Sequence, residues 1–287
     1  MEPKTGLVLE GGAMRGLFSH GVLDVFLENG IRADAVAAVS AGATFGCNYL
    51  TNQPRRAIRY CINYRHDPRF CSVASLMLTG DMYGAEFCYH TLPEILDPID
   101  NDTFLQCGVP FYVVTTNLRT GKAVYHQCHD LLDRRELEWV RASASMPLAS
   151  NIVKVDGYEL LDGGVADSIP LKFMEYKGYT RNIVILTQPA GYEKQPNSLL
   201  PLMRKVYAKY PRFLRTIARR HEQYNAQTAY VAQQEAAGNV FVIRPPKKLP
   251  VSHISHDADT LREVYAIGRA EGLARMDALK TFLTGQM

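Results

Sequence analysis

The stretch Ala35-Val36-Ala37-Ala38-Val39-Ser40-Ala41-Gly42 passes from an apolar β-type run straight into small residues that open a helical pattern, Ala41 to Leu50. A serine on such a sharp strand-to-helix turn fits a nucleophile elbow, usually written G-x-S-x-G. Small residues two before and two after the serine are needed because the strand and helix backbones pass closely. Here those positions are Ala38 and Gly42, and the methyl of Ala38 narrows the clearance. A helix N-terminus behind Ser40 would favour negative charge developing at its oxygen. Taken alone, Ser40 reads more readily as the N-cap of an ordinary helix.

Upstream, Leu7-Val8-Leu9 leads into Gly11-Gly12-Ala13-Met14-Arg15-Gly16, after which Leu17, Phe18, Val22, Val25 and Phe26 recur at helical spacing as far as Asn29-Gly30. Glycines at that turn let the backbone approach a ligand, and successive N–H groups at a helix start bind an anion, including the oxyanion of acyl transfer. A dinucleotide fingerprint would need glycine at position 13 and a well-placed acid about twenty residues on. The chain has Ala13, and Asp34 is poorly placed to end a second strand. Arg15 opposes the helix dipole in a first turn, so it is expected to pair with a carboxylate or an anion. Downstream, Ile152 to Val155, Asp156-Gly157 and Tyr158 to Leu161 form a hairpin signature, since Asp-Gly supplies the positive φ angles of a tight primed turn. Its second strand ends on Asp162-Gly163-Gly164, an acid on the rim unless it merely serves an Asx turn.

Further strands are expected at Phe111–Thr116, Lys122–His126, Ile183–Thr187 and Val240–Ile243. Strands alternating with helical stretches predict a three-layer α/β/α sandwich with a mainly parallel central sheet. All 287 residues are read as one domain, with the motifs in residues 5–190 and a helical region at 191–287 completing it. The region from Pro196 to about Ala237 is long, helical and locally basic, with Pro211 breaking or kinking it. Within it, 202–224 is open to two readings: a helix packed on the sheet with a solvated basic face, or one lying on an anionic membrane surface. A single terminal helix is expected over 257–283, capped by Asp257 or Asp259.

Hydrophobic residues make up 47% of the chain, enough for a sizeable core and against disorder. Thirty-two basic against 29 acidic residues leave a formal charge of +3, and there is no basic tail or stripe, which argues against nucleic-acid binding. No signal region or membrane span is read, and the six cysteines never sit closer than ten positions apart, so reduced thiols in a cytoplasmic setting are expected. His221, His253 and His256 could complete a triad, but none adjoins a rim signal. His253 and His256 read as a solvent-exposed pair rather than a metal site.

Taken in order, LEGGAMRG (9–16), AVSAG (38–42), TNLRTGK (116–122), RASASMP (141–147) and LLDGGVADSIPL (160–171) resemble the patatin-like phospholipase family, specifically its bacterial lipid acyl hydrolases. The resemblance implies a Ser–Asp dyad with Ser40 as nucleophile and Asp162 as base, and oxyanion donors at about Gly12 and Ala13. It places Gly11, Arg15 and Gly16 in the substrate-binding loop, and Ala38, Gly42, Gly163 and Gly164 as supporting motif positions. The chain departs from the family pattern at Ala13 and Ala38, where glycine is usual. An acid serving as base for a serine hydroxyl should be desolvated, since an ordinary carboxylate with a pKa near ~4 is a poor base. The expected substrate is a lipid or other acyl ester, with no metal or organic cofactor required and peripheral membrane contact through 202–224 as an additional partner surface. The alternative is a catalytically silent lipid- or acyl-binding protein, motivated by the two alanines.

Overall fold

The structure is a computed structural model that describes residues 4–252 and 255–285. Among these, eight strands form one sheet: β1 (Thr5–Leu9), β2 (Ala35–Val39), β3 (Phe111–Asn117), β4 (Ala123–Cys128), β5 (Val153–Val155), β6 (Tyr158–Asp162), β7 (Arg181–Ile185) and β8 (Val240–Ile243). The order is β5-β6-β3-β2-β1-β7-β8, with β4 also paired to β3. The central five, β3-β2-β1-β7-β8, are parallel, and β4, β5 and β6 join antiparallel.

Helices cover both faces, which is why the central strands are buried almost throughout rather than alternating. Leu7 and Leu9 of β1 point to one face, against Phe18 and Leu261, while Val8 points to the other, against Tyr224 and Val242. The α/β/α layering predicted from the alternation is the observed one. From β1 the chain runs outward through β2 to β3, then returns to β7 on the opposite side of β1. β1 is therefore the switch point, and the crevice beyond the C-terminal strand ends lies there.

The hairpin turn has φ of 49° at Asp156 and 77° at Gly157, the positive pair that a primed turn requires. The strand expected at Ile183–Thr187 is Arg181–Ile185, because Thr187 turns its N–H to the Glu10 carboxylate at 2.6 Å. The basic region is three helices, Leu200–Val206, Pro211–Ala218 and Arg220–Ala236; Pro211 begins the second, where a missing N–H is harmless. The expected terminal helix divides at Arg275 into Ala258–Ala274 and Met276–Thr284, and the Asp257 side chain caps the first by accepting from the Thr260 N–H at 2.7 Å. That helix lies directly on Gly16–Glu28: a Cβ on Gly268 would fall 2.0 Å from the Phe18 carbonyl oxygen, and one on Gly21 would fall 2.3 Å from that of Tyr265. Between residues 51 and 109, short segments with no sustained periodicity fold as helices Arg56–Asn63, Val73–Thr79 and Asn101–Cys107 and a π-helix, Phe87–Leu96, that contains Pro93. Among the described residues no helix is long and apolar enough to cross a membrane. His253 lies outside the described residues.

Candidate active site

Ser40 follows β2 directly and adopts φ 55°, ψ −123°, a combination that residues other than glycine rarely occupy and that costs on the order of 1–3 kcal/mol. Its side chain makes no capping bond, so the ordinary N-cap reading does not hold. The surrounding structure imposes the turn. The Ser40 N–H donates to Ser143 Oγ at 2.8 Å, and that hydroxyl donates onward to the Val114 carbonyl at 2.7 Å. A Cβ on Gly42 would fall 2.7 Å from the Leu9 carbonyl oxygen, and one on Gly11 would fall 2.8 Å from Ser40 Cβ, so neither position has room for a side chain. Ala38, fully buried in β2 opposite Leu9, fits without displacing the elbow.

Asp162 ends β6, is 5% exposed, and is anchored by its backbone: its N–H donates to the Ser145 carbonyl at 2.8 Å, and its carbonyl accepts from Thr116 Oγ1 at 2.8 Å. Its carboxylate accepts from the Gly164 N–H at 2.7 Å, and the Ser40 hydroxyl is among the groups that lower its pKa. Burial raises its pKa above the usual carboxylate range, against the opposing pull of Arg220, Ser40 and the Gly164 N–H. Gly163 is required for the tight exit, since a Cβ there would lie 2.1 Å from the Val114 carbonyl oxygen.

The glycine-rich loop leaves β1 beside the elbow. A Cβ on Gly12 would meet Thr187 Oγ1 at 2.7 Å, and one on Gly16 would meet the Ala41 methyl at 2.8 Å. Ala13 has φ 48°, the left-handed region in which the family's usual glycine is free and an L-residue is strained by about 1 kcal/mol. Among the described residues, neither the Gly12 nor the Ala13 N–H donates to another main-chain group, which leaves both available to a ligand oxygen. Of the two partners expected for Arg15, a carboxylate or an anion, the protein supplies no carboxylate, and its Nε is buried without a hydrogen-bond partner. Glu10, a residue the sequence did not single out, fixes this loop. It is fully buried, accepts from the Thr187 N–H at 2.6 Å and the Tyr224 hydroxyl at 2.7 Å, and its pKa is raised by burial.

Ser40, Ala13 and Met14 open onto an apolar cavity of about 110 Å³. Part of its wall comes from the 51–109 region, including Tyr60, Phe70, Tyr89 and Leu92. Cys47, Cys61 and Cys88 also line it; all six cysteines are free, and burial pushes the Cys47 thiol up to about 11, so these sulfurs stay neutral and act as small apolar groups. No histidine lines this cavity or is among the groups that influence Asp162. Among the described residues no group of three or more His, Cys, Asp or Glu is arranged to hold a metal ion.

Ser143 was legible only as part of RASASMP, with no role attached. Ser143→Ala would leave the buried Ser40 N–H and Val114 carbonyl unpaired, which should cost about 2 kcal/mol of stability. Denaturant unfolding would check this; wild-type stability would show that the turn does not depend on Ser143.

The sharp turn at Ser40, the buried Asp162 at the end of β6 and the glycine loop after β1 are brought together at the C-terminal ends of an α/β sheet. The family model for patatin-like phospholipase matches residues 7–174, more than half of the chain, so the chain belongs to the patatin-like phospholipase family. A second family model, a domain of unknown function, matches residues 210–284. Similar proteins include the uncharacterized protein YjjU of Escherichia coli K12, 26% identical over 276 residues that cover 94% of this chain and 76% of that one. Another is the lysophospholipase nte1 of Aspergillus niger, 29% identical over 180 residues, where the match covers 60% of this chain but only 11% of that protein. Among solved structures, VipD from Legionella pneumophila aligns with 97% of this chain and 67% of its own at a TM-score of 0.47 and 11% identity.

Proposed function

We propose that the protein is a lipid acyl hydrolase that cleaves carboxylic esters through an acyl–Ser40 intermediate. The observation that carries this reading is a strained Ser40 lining an apolar cavity, with its hydroxyl near enough to the buried Asp162 carboxylate to draw that acid's pKa down. Ser40 Oγ attacks the ester carbonyl carbon while Asp162 takes its proton, and the carbonyl oxygen gains negative charge facing the Gly12 and Ala13 N–H groups. Collapse expels the alcohol, which recovers the proton from Asp162. Water, deprotonated by the same carboxylate, then hydrolyses the acyl-enzyme and returns the proton to Ser40. The cavity accommodates the acyl chain. Family membership and the lysophospholipase relative support a lipid ester as substrate.

A panel of acyl esters of increasing chain length, run on wild type and Ser40→Ala, tests the reading. Turnover that rises with chain length and disappears in the variant supports it; the silent binding alternative predicts retention of lipid without turnover. We also read the two family segments as one folding unit, because Tyr224 of the second holds Glu10 of the first and β8 completes the same sheet.

Met203, Tyr207, Phe213 and Ile217 turn the apolar side of the 202–224 region inward. Leu202 and Val206 remain exposed beside Arg204 and Lys205, which form no ion pair among the described residues. We assign this outer face to contact with an anionic membrane surface. Flotation with phosphatidylglycerol vesicles should show binding that weakens with salt; absence of binding at low salt would remove the assignment.

A further inference from the structure

Three cations from separate parts of the chain act on the two buried acids of the site, Arg15 and Lys194 on Glu10, and Arg220 and Lys194 on Asp162. Arg15 belongs to the glycine loop, Lys194 to the connection after β7, and Arg220 begins the helix Arg220–Ala236. Arg220 Nε donates to the Gly164 carbonyl at 2.6 Å, two residues from Asp162, and a Cβ on Gly164 would lie 3.3 Å from Arg220 Nη2. Lys194 Nζ stands 4.6 Å from the ring centre of Tyr224, whose hydroxyl donates to Glu10. The Lys194 main chain is fixed from both sides by Asn225, at 2.8 Å and 3.1 Å. All three cations are half-buried, and among the described residues none forms an ion pair with a carboxylate.

This arrangement is electrostatically costly. Burial, and after it the nearby Arg220, draws the Lys194 pKa down to about 8, while the only acids inside the cluster, Glu10 and Asp162, are themselves pushed toward neutrality by burial. Chains seldom bring three like charges together without a counter-charge unless a ligand supplies it. A phosphate does so well, because arginine and lysine donate charge-assisted hydrogen bonds to its oxygens. A glycerophospholipid carries such a group a few bonds from the ester to be cleaved.

We propose that Lys194, Arg220 and Arg15 bind the phosphate of a glycerophospholipid whose acyl chain enters the cavity beyond Ser40, so that phosphate-bearing lipids are preferred over neutral glycerides. This deepens the hydrolase reading and rests on it for the placement of the acyl chain. Two of the three residues lie outside the segment matched by the patatin-like model, and one opens the segment of unknown function, giving that segment a part in substrate choice.

The test is calorimetric binding of an ether-linked lysophospholipid, the alkylglycerol of equal chain length, and inorganic phosphate. None of these can be hydrolysed by an esterase, so the result does not depend on turnover by Ser40, which the ester panel measures separately. Wild type should bind the phosphate-bearing ether at least about tenfold more tightly than the alkylglycerol, the scale expected of a charged hydrogen bond. Lys194→Gln and Arg220→Gln should each lose most of that preference, whereas Lys194→Arg should retain it; near-UV circular dichroism verifies the folded state. Equal wild-type affinity for the two ethers overturns the proposal, as does a preference that survives both neutral substitutions. Inorganic phosphate binding as tightly as the lipid would identify the cluster as a free-phosphate site and overturn the lipid assignment.

Discussion

Asp162→Asn is expected to lower kcat for ester hydrolysis by about 10³-fold or more without lowering the melting temperature. Asparagine keeps the oxygen that accepts the Gly164 N–H and preserves the volume of the site, but it cannot take a proton from Ser40. The sign of the stability effect follows from burial. Because the folded-state pKa of Asp162 is raised, the fold favours the protonated acid relative to the unfolded chain. That favourable contribution is complete below the unfolded-state pKa and is lost as pH rises through the raised one. Above that raised pKa, the wild type therefore carries a buried charge that the asparagine variant lacks. The stability of the variant relative to wild type should grow with pH across this window and then level off. The same raised pKa places the acidic limb of kcat/KM above the ordinary carboxylate range, with activity falling as pH drops through it. Thermal melts of both proteins across pH, together with a pH–rate profile of the wild type, check both statements. A variant with near-wild-type turnover would mean that some other group takes the serine proton.

Ser40→Gly should abolish turnover while raising stability by about 1 kcal/mol. Glycine relieves a backbone strain of on the order of 1–3 kcal/mol, partly offset by the greater freedom it gives the unfolded chain. Ser40→Ala keeps the strain and should remain near wild type in stability, so the pair of variants separates loss of the hydroxyl from relief of the turn. Equal stability of the two would mean that the φ and ψ at residue 40 store no energy.

The backbone turns of the candidate site were readable because their requirements are local. The elbow, the glycine loop and the Asp-Gly hairpin announce themselves through small residues at fixed offsets, since a Cβ at Gly11, Gly42 or Gly163 would meet a neighbouring backbone or side chain. The sheet was readable for a related reason: strands covered on both faces appear as short, continuous apolar runs. What remained hidden depends on contacts distant in sequence. Ser143 reaches Ser40 across 103 positions, and Tyr224 reaches Glu10 across 214, so neither pairing leaves a spacing to read. Part of the cavity wall comes from the 51–109 region, including a π-helix interrupted by Pro93, where no periodicity runs long enough to stand out. Arg15 was expected to meet a carboxylate or an anion; the fold gives it no carboxylate partner, and the other cations acting on the buried acids, Lys194 and Arg220, come from positions too distant in sequence to read.

The most direct measurement is intact-mass and peptide mapping after reaction with a fluorophosphonate, on wild type and Asp162→Asn. One covalent adduct on the peptide bearing residue 40, sharply diminished when residue 162 cannot accept a proton, is the predicted result. No adduct, an adduct on another residue, or equal labelling of the two proteins would contradict the dyad.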